Sequence, residues 1–201
     1  MDTHLLGLRA LGVKIEGGDY FSFRAARRLR GADLMLDEAS VTATENILMS
    51  AATADGVTTI YNAACEPHVQ DLGALLNRMG ARIEGLGTNR LRIEGVEALG
   101  GADHTIGPDY IEAGSYLPES ETRAVIARAF SKLGVTWKSD GDTLVQPAHK
   151  FFRVRRDLGG AIPKIEDGAW PAFPSDLMSV AIVLATQARG CMLFLETMFE
   201  S

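Results

Sequence analysis

Cysteine is almost missing from this sequence. Only Cys65 and Cys191 occur. They share no CxxC spacing, which excludes a disulfide framework and a cysteine-based zinc site. Histidine is scarce too, with four scattered residues, so no metal is expected. No run reaches the roughly 18 uninterrupted apolar residues that a membrane span requires, and no secretory leader is recognisable. These absences predict a cytoplasmic protein with reduced thiols and no membrane partner. Positive charge is also in deficit, with 20 Lys+Arg against 26 Asp+Glu and a net charge of −6. General nucleic-acid binding relies on clustered cations that displace counterions from phosphates, so no nucleic-acid partner is expected. A small anionic ligand is still admissible, because a site can be locally basic on an acidic protein.

What the sequence does contain is an ordinary globular balance. Its 201 residues are 46% hydrophobic and 23% charged, enough for a core in one large domain or two small ones. The chain opens on a helical apolar pattern (Leu5, Leu8, Leu11) and closes just after the core-strand pattern "CMLFLETMFES". Those abrupt ends read as an internal fragment, and a cut-down chain of this kind is expected to expose apolar core faces and to self-associate.

Internal repetition is the most informative feature. "LRALGVKIEGGDYFSFRAARRLRGADLML" from Leu8, "LNRMGARIEGLGTNRLRIEGVEALGGADHTI" from Leu76 and "FSKLGVTWKSDGDTLVQPAHKFFRV" from Phe130 follow one scheme. Each has a helix end, a glycine that closes it (Gly12, Gly80, Gly134) and an alternating strand, then a Gly/Asp/Asn turn and a second strand. A second element recurs: "SVTATENILMSAATADGVTTIYNA" from Ser40 matches "SDLMSVAIVLATQARGCMLFLETM" from Ser175. Each is read as a helix capped by its serine, closed on glycine (Gly56, Gly190) and leading into a strand. Both helices are apolar around most of their circumference, which predicts burial on all sides. The repeat is thus a strand–helix–strand–helix–hairpin unit present in about two and a half copies. The interval from Gly80 to Gly134 is shorter than that from Gly12 to Gly80 by one helix and one strand, which places a shortening after Leu117.

The repeat, together with "DEASVTATENILMSAA", "NAACEPHVQDLGALLNRMGARIEGLGTNRLRIEGV", "GPDYIEAGSY" and "FPSDLMS", resembles the UDP-N-acetylglucosamine enolpyruvyltransferases, or 1-carboxyvinyltransferases. That family is similar in fold to 5-enolpyruvylshikimate-3-phosphate synthase. The resemblance implies an α/β inside-out barrel architecture, built from repeated units with helices central and sheets outside, and here incomplete. It also implies a boundary near Gly107, with residues 1–107 in a first domain and 108–201 in a second, shortened after residue 117. The implied reaction transfers the enolpyruvyl group of phosphoenolpyruvate to the 3-hydroxyl of UDP-N-acetylglucosamine by addition and elimination, with no metal and no cofactor. It is the first committed step of peptidoglycan synthesis, and so belongs to cell wall biogenesis, cell shape and cell division. The sister shikimate enzyme is disfavoured, because its substrate-binding signatures are missing and the nucleotide-side blocks agree.

Site residues follow from the same resemblance. Asp176 in "FPSD" matches the aspartate assigned as general base toward the sugar hydroxyl. Such a base must reach the proton it removes, and the positive end of a helix favours negative charge at that place. The plainer alternative is a first-turn aspartate offsetting the helix dipole. Ser40, Val41 and Thr42 match the nucleotide position, where backbone N–H groups at a helix start receive an anion; the alternative is a simple capping serine. Asp2, Thr3 and His4 match the tail of a uridine-binding segment, and Met198 in "ETMF" matches an apolar residue that touches the nucleotide through its backbone. Glu38 stands where the family often has lysine, and a carboxylate there opposes a diphosphate. Asp109 and Glu112 read as structural charges, Cys65 and Cys191 as inert buried thiols, and "RAARRLRG" as a solvated hairpin face. The family's loop acid (cysteine or aspartate) and its phosphoenolpyruvate-binding cations have no counterpart in this chain. The chain alone is therefore expected to be inactive, and the alternative function is a non-catalytic nucleotide-sugar-binding module or bare scaffold.

Overall fold

The computed structural model describes residues 2–18, 20–107, 109, 111, 123–140, 143–145 and 151–198. The chain divides into two compact units, Met1–Gly107 and Pro108–Ser201.

In the first unit, helix α1 (Asp2–Ala10) buries Thr3, Leu5 and Gly7. It stops at Gly12, whose φ of 93° lies where a side chain is costly. A hairpin of β1 (Lys14–Glu16) and β2 (Ser22–Arg24) follows, pairing antiparallel. Next come β3 (Asp33–Met35), helix α2 (Val41–Ala51) and β4 (Val57–Tyr61), with β4 parallel to β3. Helix α3 (Pro67–Arg78), ended by Gly80 at φ 101°, leads into the antiparallel hairpin β5 (Arg82–Glu84) and β6 (Arg90–Glu94). The resulting sheet has the order β3-β4-β6-β5. Alternation along its strands turns Leu34, Ile60, Leu91 and Ile93 inward, where they meet Ile47 and Leu48 of α2 and Leu76 of α3.

The second unit contains helix α4 (Arg123–Lys132), closed by Gly134 at φ 88°, and the hairpin β7 (Lys138–Asp140) and β8 (Thr143–Val145). Strands β9 (Phe152–Arg153) and β10 (Lys164–Glu166) precede a 3-10 turn at Ser175–Leu177 and helix α5 (Met178–Thr186). Strand β11 (Ala188–Arg189) then runs parallel to β9, and β12 (Leu193–Leu195) parallel to β10. In the core, the Phe130 ring meets Phe173 and Trp137 edge-on at 6.1 and 6.3 Å between centroids. Leu133, Ile165, Leu177 and Ala181 fill the space around them.

The two units repeat one another in hydrogen bonding. In the first, Thr59 N–H donates to Ala32 O and Leu36 N–H to Tyr61 O. In the second, Leu193 N–H donates to Pro163 O and Asp167 N–H to Leu195 O. So β3–α2–β4 and β10–α5–β12 are two copies of one element, as the sequence predicts, within an α/β fold. No sheet closes into a barrel among the described residues. The shortening after Leu117, Glu112 and the Gly141–Asp142 turn lie outside them.

Two expectations are corrected. Ser175 does not cap the last helix. Pro174 holds the cap position, its carbonyl accepting from Leu177 N–H, and Ser175 sits inside the 3-10 turn. The fixed φ of proline starts the turn one residue early. Ser40 does cap α2, with its Oγ accepting from Ala43 N–H at 3.4 Å. Nor is either helix buried all round: α2 exposes Thr42, Asn46 and Met49, and on α5 only Met178 and Ala181 are fully buried, while Val180, Ile182 and Val183 are exposed. Apolar composition marks a face that favours burial, but a neighbour must be present to cover it.

The "RAARRLRG" stretch divides. Arg24, Arg27 and Arg30 are exposed, as a solvated face predicts, but Arg28 is a clamp. Its Nε donates to Thr53 O at 3.1 Å and its Nη2 to Val96 O at 2.8 Å, and its Nη1 pairs with Asp55 at 2.7 Å. It ties the strand entering β3 to the end of α2 and the exit of β6. Losing these charge-assisted bonds through Arg28→Ala is expected to cost about 1–3 kcal/mol in chemical denaturation. Arg27→Ala next door should stay within about 0.5 kcal/mol.

Candidate functional site

Helix α1 and helix α2 lie side by side and run in the same direction. Thr3 meets Glu38, His4 meets Thr42 and Asn46, and further along Gly7 faces Ile47. A Cβ at Gly7 would fall 2.3 Å from Ile47 Cδ1 and 2.4 Å from Cγ1, so only glycine permits this approach. The consequence is electrostatic. The positive ends of two helix dipoles open on one surface, and the first N–H groups of α2 have no intrahelical acceptor.

Side chains hold this corner in place. Asn46 Nδ2 donates to His4 Nδ1 at 2.7 Å, which leaves Nε2–H to donate to Thr42 Oγ1 at 3.1 Å; the ring tautomer is assigned from these partners. Buried Thr3 donates from Oγ1 to Glu38 Oε1 at 3.0 Å. Thr44 Oγ1 donates to Ser40 O at 2.7 Å and accepts from Ala64 N–H at 3.0 Å, anchoring the start of α2 to the end of β4. Six of the sequence-derived site residues, Asp2, Thr3, His4, Ser40, Val41 and Thr42, thus belong to two adjoining helix starts. Asp2 is exposed in the first turn of α1. Glu38 brings its carboxylate to the same corner.

Asp176 and Met198 belong to the second unit. Asp176 is exposed in the 3-10 turn before α5, and no hydrogen bond or ion pair engages its carboxylate among the described residues. By the correspondence of α2 with α5, it takes the place that Thr42 holds in the first unit. Met198 is exposed just past β12. The chain leading to it is fixed by Asp167, a buried carboxylate whose Oδ1 accepts from Thr197 N–H at 2.6 Å and Thr197 Oγ1 at 3.1 Å. Asp167 escaped sequence reasoning, since "IEDGAW" reads as an ordinary polar turn. Asn46 had a legible signal: it stands one helical turn after Thr42, on the same face.

Other groups have structural roles. Asp71 accepts from His104 Nε2–H at 3.0 Å and from Gly107 N–H at 3.2 Å, fastening the end of the first unit to α3. Asp109 Oδ1 accepts from Ile111 N–H at 2.8 Å, in keeping with a structural charge. Cys65 is half-buried, and burial followed by the nearby Glu66 charge raises its thiol pKa, which suits an inert thiol. Cys191 is exposed rather than buried; it precedes β12, a strand that is itself exposed at Leu193 and only half-buried at Phe194 and Leu195. In the second unit a groove of about 510 Å³ is lined by Arg128, Lys132, Lys164 and Phe173 among others. Its two lysines are engaged: Lys132 Nζ donates to Lys164 O at 2.7 Å, and Lys164 pairs with Glu166 at 2.5 Å. No group of three or more metal-ligating side chains occurs among the described residues, and no helix there is long and apolar enough to cross a membrane.

The close approach of α1 to α2 is directly testable. Gly7→Ala forces a methyl against a fully buried side chain, so thermal unfolding should show a loss of about 1–3 kcal/mol. Combining it with Ile47→Ala should recover part of that loss. Equal stability of Gly7→Ala and the parent protein would contradict the packing.

Comparison with known proteins places this geometry. A sequence-family profile described as EPSP synthase (3-phosphoshikimate 1-carboxyvinyltransferase) matches residues 1–118. The chain is 49% identical over 215 aligned residues to a UDP-N-acetylglucosamine 1-carboxyvinyltransferase of Treponema denticola, and 48% identical to one of Bradyrhizobium diazoefficiens. Each alignment covers 100% of this chain and 50% of the relative, so the chain spans about half the length of the curated relatives it matches. Among solved structures, the enolpyruvyl transferase NikO from Streptomyces tendae superimposes with a TM-score of 0.76 at 21% identity, over 97% of this chain and 52% of that one. EPSP synthase from Acinetobacter baumannii gives a TM-score of 0.53 at 18% identity, over 73% of this chain and 38% of that one. The repeated β–α–β elements, the glycine-closed helices and the profile match together assign the chain to the EPSP synthase (3-phosphoshikimate 1-carboxyvinyltransferase) family.

Proposed function

We propose that this chain carries part of the machinery that transfers the enolpyruvyl group of phosphoenolpyruvate to the 3-hydroxyl of UDP-N-acetylglucosamine, a step of peptidoglycan synthesis in the cytoplasm. The observation that carries this reading is the paired start of α1 and α2. Two helix dipoles and uncommitted N–H groups favour a diphosphate there, and the T. denticola and B. diazoefficiens relatives bear a name that specifies such a nucleotide sugar.

In this reading the first unit belongs to one enolpyruvyltransferase domain and the second to the other. Ser40, Val41 and Thr42 receive the diphosphate, while Asp2, Thr3 and His4 line the uridine side. Met198 touches the nucleotide through its backbone. Asp176 takes the proton from the sugar 3-hydroxyl as its oxygen bonds to C2 of phosphoenolpyruvate. Protonation at C3 gives a tetrahedral adduct, and loss of phosphate from C2 together with a proton from C3 restores the C=C bond of the enolpyruvyl product. An exposed carboxylate with no partner among the described residues is open to such a substrate hydroxyl.

A second reading is supported by the half-length match to the relatives: a module that binds nucleotide sugar without turning it over. Phosphoenolpyruvate carries close to three negative charges, and the corner formed by α1 and α2 offers it no cationic side chain. The purified 201-residue chain should therefore give no enolpyruvyl product from the two substrates. Calorimetry separates site from scaffold. UDP-N-acetylglucosamine should bind, shikimate-3-phosphate should not, and Asp176→Ala should weaken the signal. Glu38→Gln, which removes the opposing charge and keeps an acceptor for Thr3, should tighten binding several-fold. No heat with millimolar UDP-N-acetylglucosamine, or weaker binding by Glu38→Gln, would contradict the assignment.

A further inference from the structure

The two units repeat a short parallel contact in which the charges differ. In the first unit Arg30 bridges Asp55, and Gly31 N–H donates to Asp55 O at 2.8 Å. In the second, Arg153 of β9 pairs with Arg189 of β11, and Val154 N–H donates to Arg189 O at 3.0 Å. Gly56 and Gly190, both at positive φ, follow the two contacts. Arg189 therefore stands in the place of Asp55, and Phe151 in the place of Arg28. The first unit closes this position with the Arg28–Asp55 ion pair at 2.7 Å. The second closes it by stacking, with Arg189 Cζ 4.1 Å from the centre of the Phe151 ring.

This exchange concentrates positive charge on one face. Residues 151–155 alternate between exposed and half-buried. Phe151, Arg153 and Arg155 thus share the outer side, while Phe152 and Val154 pack on the core. Arg189, in register with Arg153, lies on that outer side too. None of the three arginines has a carboxylate partner among the described residues, and Asp157 is the only acidic residue from Phe151 to Pro163. Like charges on paired strands repel, and an anion shared by both guanidinium groups turns that repulsion into binding. Stacking occupies the flat face of a guanidinium and leaves its N–H edge to grip two oxygens. The backbone beneath is locked. Arg155 N–H donates to Lys132 O at 2.8 Å. A Cβ at Gly134 would lie 2.5 Å from Arg153 O, and one at Gly190 would lie 2.7 Å from Val154 Cβ. Cations held this way lose little further freedom when a ligand arrives.

We propose that Arg153, Arg155 and Arg189, arranged on the Phe151 ring, form an anion site of the second unit that takes a phosphate group. A phosphate offers three oxygens to several guanidinium groups, where a carboxylate satisfies one fork. The site is independent of the nucleotide seat proposed at α1 and α2. Two sources share this chemistry, a soluble phosphorylated molecule and the headgroup of an anionic lipid. The neighbouring turn bears on the second. Arg156 Nη1 donates to Gly160 O at 2.8 Å across the Leu158–Gly160 turn, and Leu158 is 100% exposed there. An apolar tip beside cations suits a headgroup layer, and such a contact needs no membrane-crossing helix.

Calorimetry with inorganic phosphate, and flotation with phosphatidylcholine vesicles with and without phosphatidylglycerol, test the site. Millimolar phosphate should bind the 201-residue chain, and Arg153→Gln/Arg189→Gln should weaken that binding at least tenfold. Arg24→Gln/Arg27→Gln removes the same charge from the first unit and should leave it within twofold. Phe151→Leu keeps every cation, removes the ring under Arg189, and should weaken it several-fold. Vesicle binding that requires phosphatidylglycerol and is lost in Leu158→Asp assigns the phosphate to a lipid headgroup. Phosphate binding without vesicle binding assigns it to a soluble ligand. Phosphate binding that survives Arg153→Gln/Arg189→Gln, as a seat at α1 and α2 alone would give, overturns the proposal. So does equal weakening by Arg24→Gln/Arg27→Gln, or no binding of either phosphate or vesicles.

Discussion

The absence of a side chain at Gly7 decides how closely α1 can approach α2. With no Cβ there, α1 settles against the buried flank of Ile47. Its first residues then come level with the first residues of α2. From that one approach follow the Thr3–Glu38 bond, the His4 bridge to Thr42 and Asn46, and the meeting of two positive helix ends. A single helix start is a weak attractor for an anion, worth a few tenths to about one kcal/mol at an exposed surface. Two starts on one surface add their fields and supply more donors. Glu38 subtracts from this field, and its bond to Thr3 keeps it there.

The same repeating element has two outcomes depending on its neighbours. Around Ile47 and Leu48 the helix α2 is enclosed by α1, α3 and the four-stranded sheet. Around Ile182 the equivalent helix is open. Both helices carry an apolar run and are followed a few residues on by a positive-φ glycine, Gly56 and Gly190. Exposure is set by what lies alongside, and apolar area left in water stands as unrealised stabilisation of roughly 25 cal/mol per Å². The second unit nevertheless keeps its own core, in which Phe130, Phe173 and Trp137 interlock.

Legibility in the sequence tracked how local each feature is. Gly12, Gly80 and Gly134 were readable as helix ends because positive φ is a property of one residue, and all three adopt it. The hairpins β1–β2 and β5–β6 were readable because alternation and turn residues are written in adjacent letters. The repeated strand–helix–strand element was readable from its order. Features that depend on distant neighbours were not. Cys191 and α5 read as buried from composition, but Cys191 and the Val180, Ile182 and Val183 side of α5 are exposed. Ser175 read as a cap until the proline before it claimed the position. Arg28 was indistinguishable from Arg27 in the sequence, and its partners lie in segments far along the chain. Asp167 gave no signal, because its partner Thr197 is brought near only by the pairing of β10 with β12.

Hydrogen–deuterium exchange of the chain with and without millimolar UDP-N-acetylglucosamine tests the anion corner most directly. Binding to the paired helix starts should slow exchange at the peptides that carry Ser40 to Ala43 and Asp2 to His4, and leave the β5–β6 hairpin unchanged. Ligand-dependent protection that appears elsewhere while those peptides exchange as freely as before would contradict a nucleotide seat at α1 and α2.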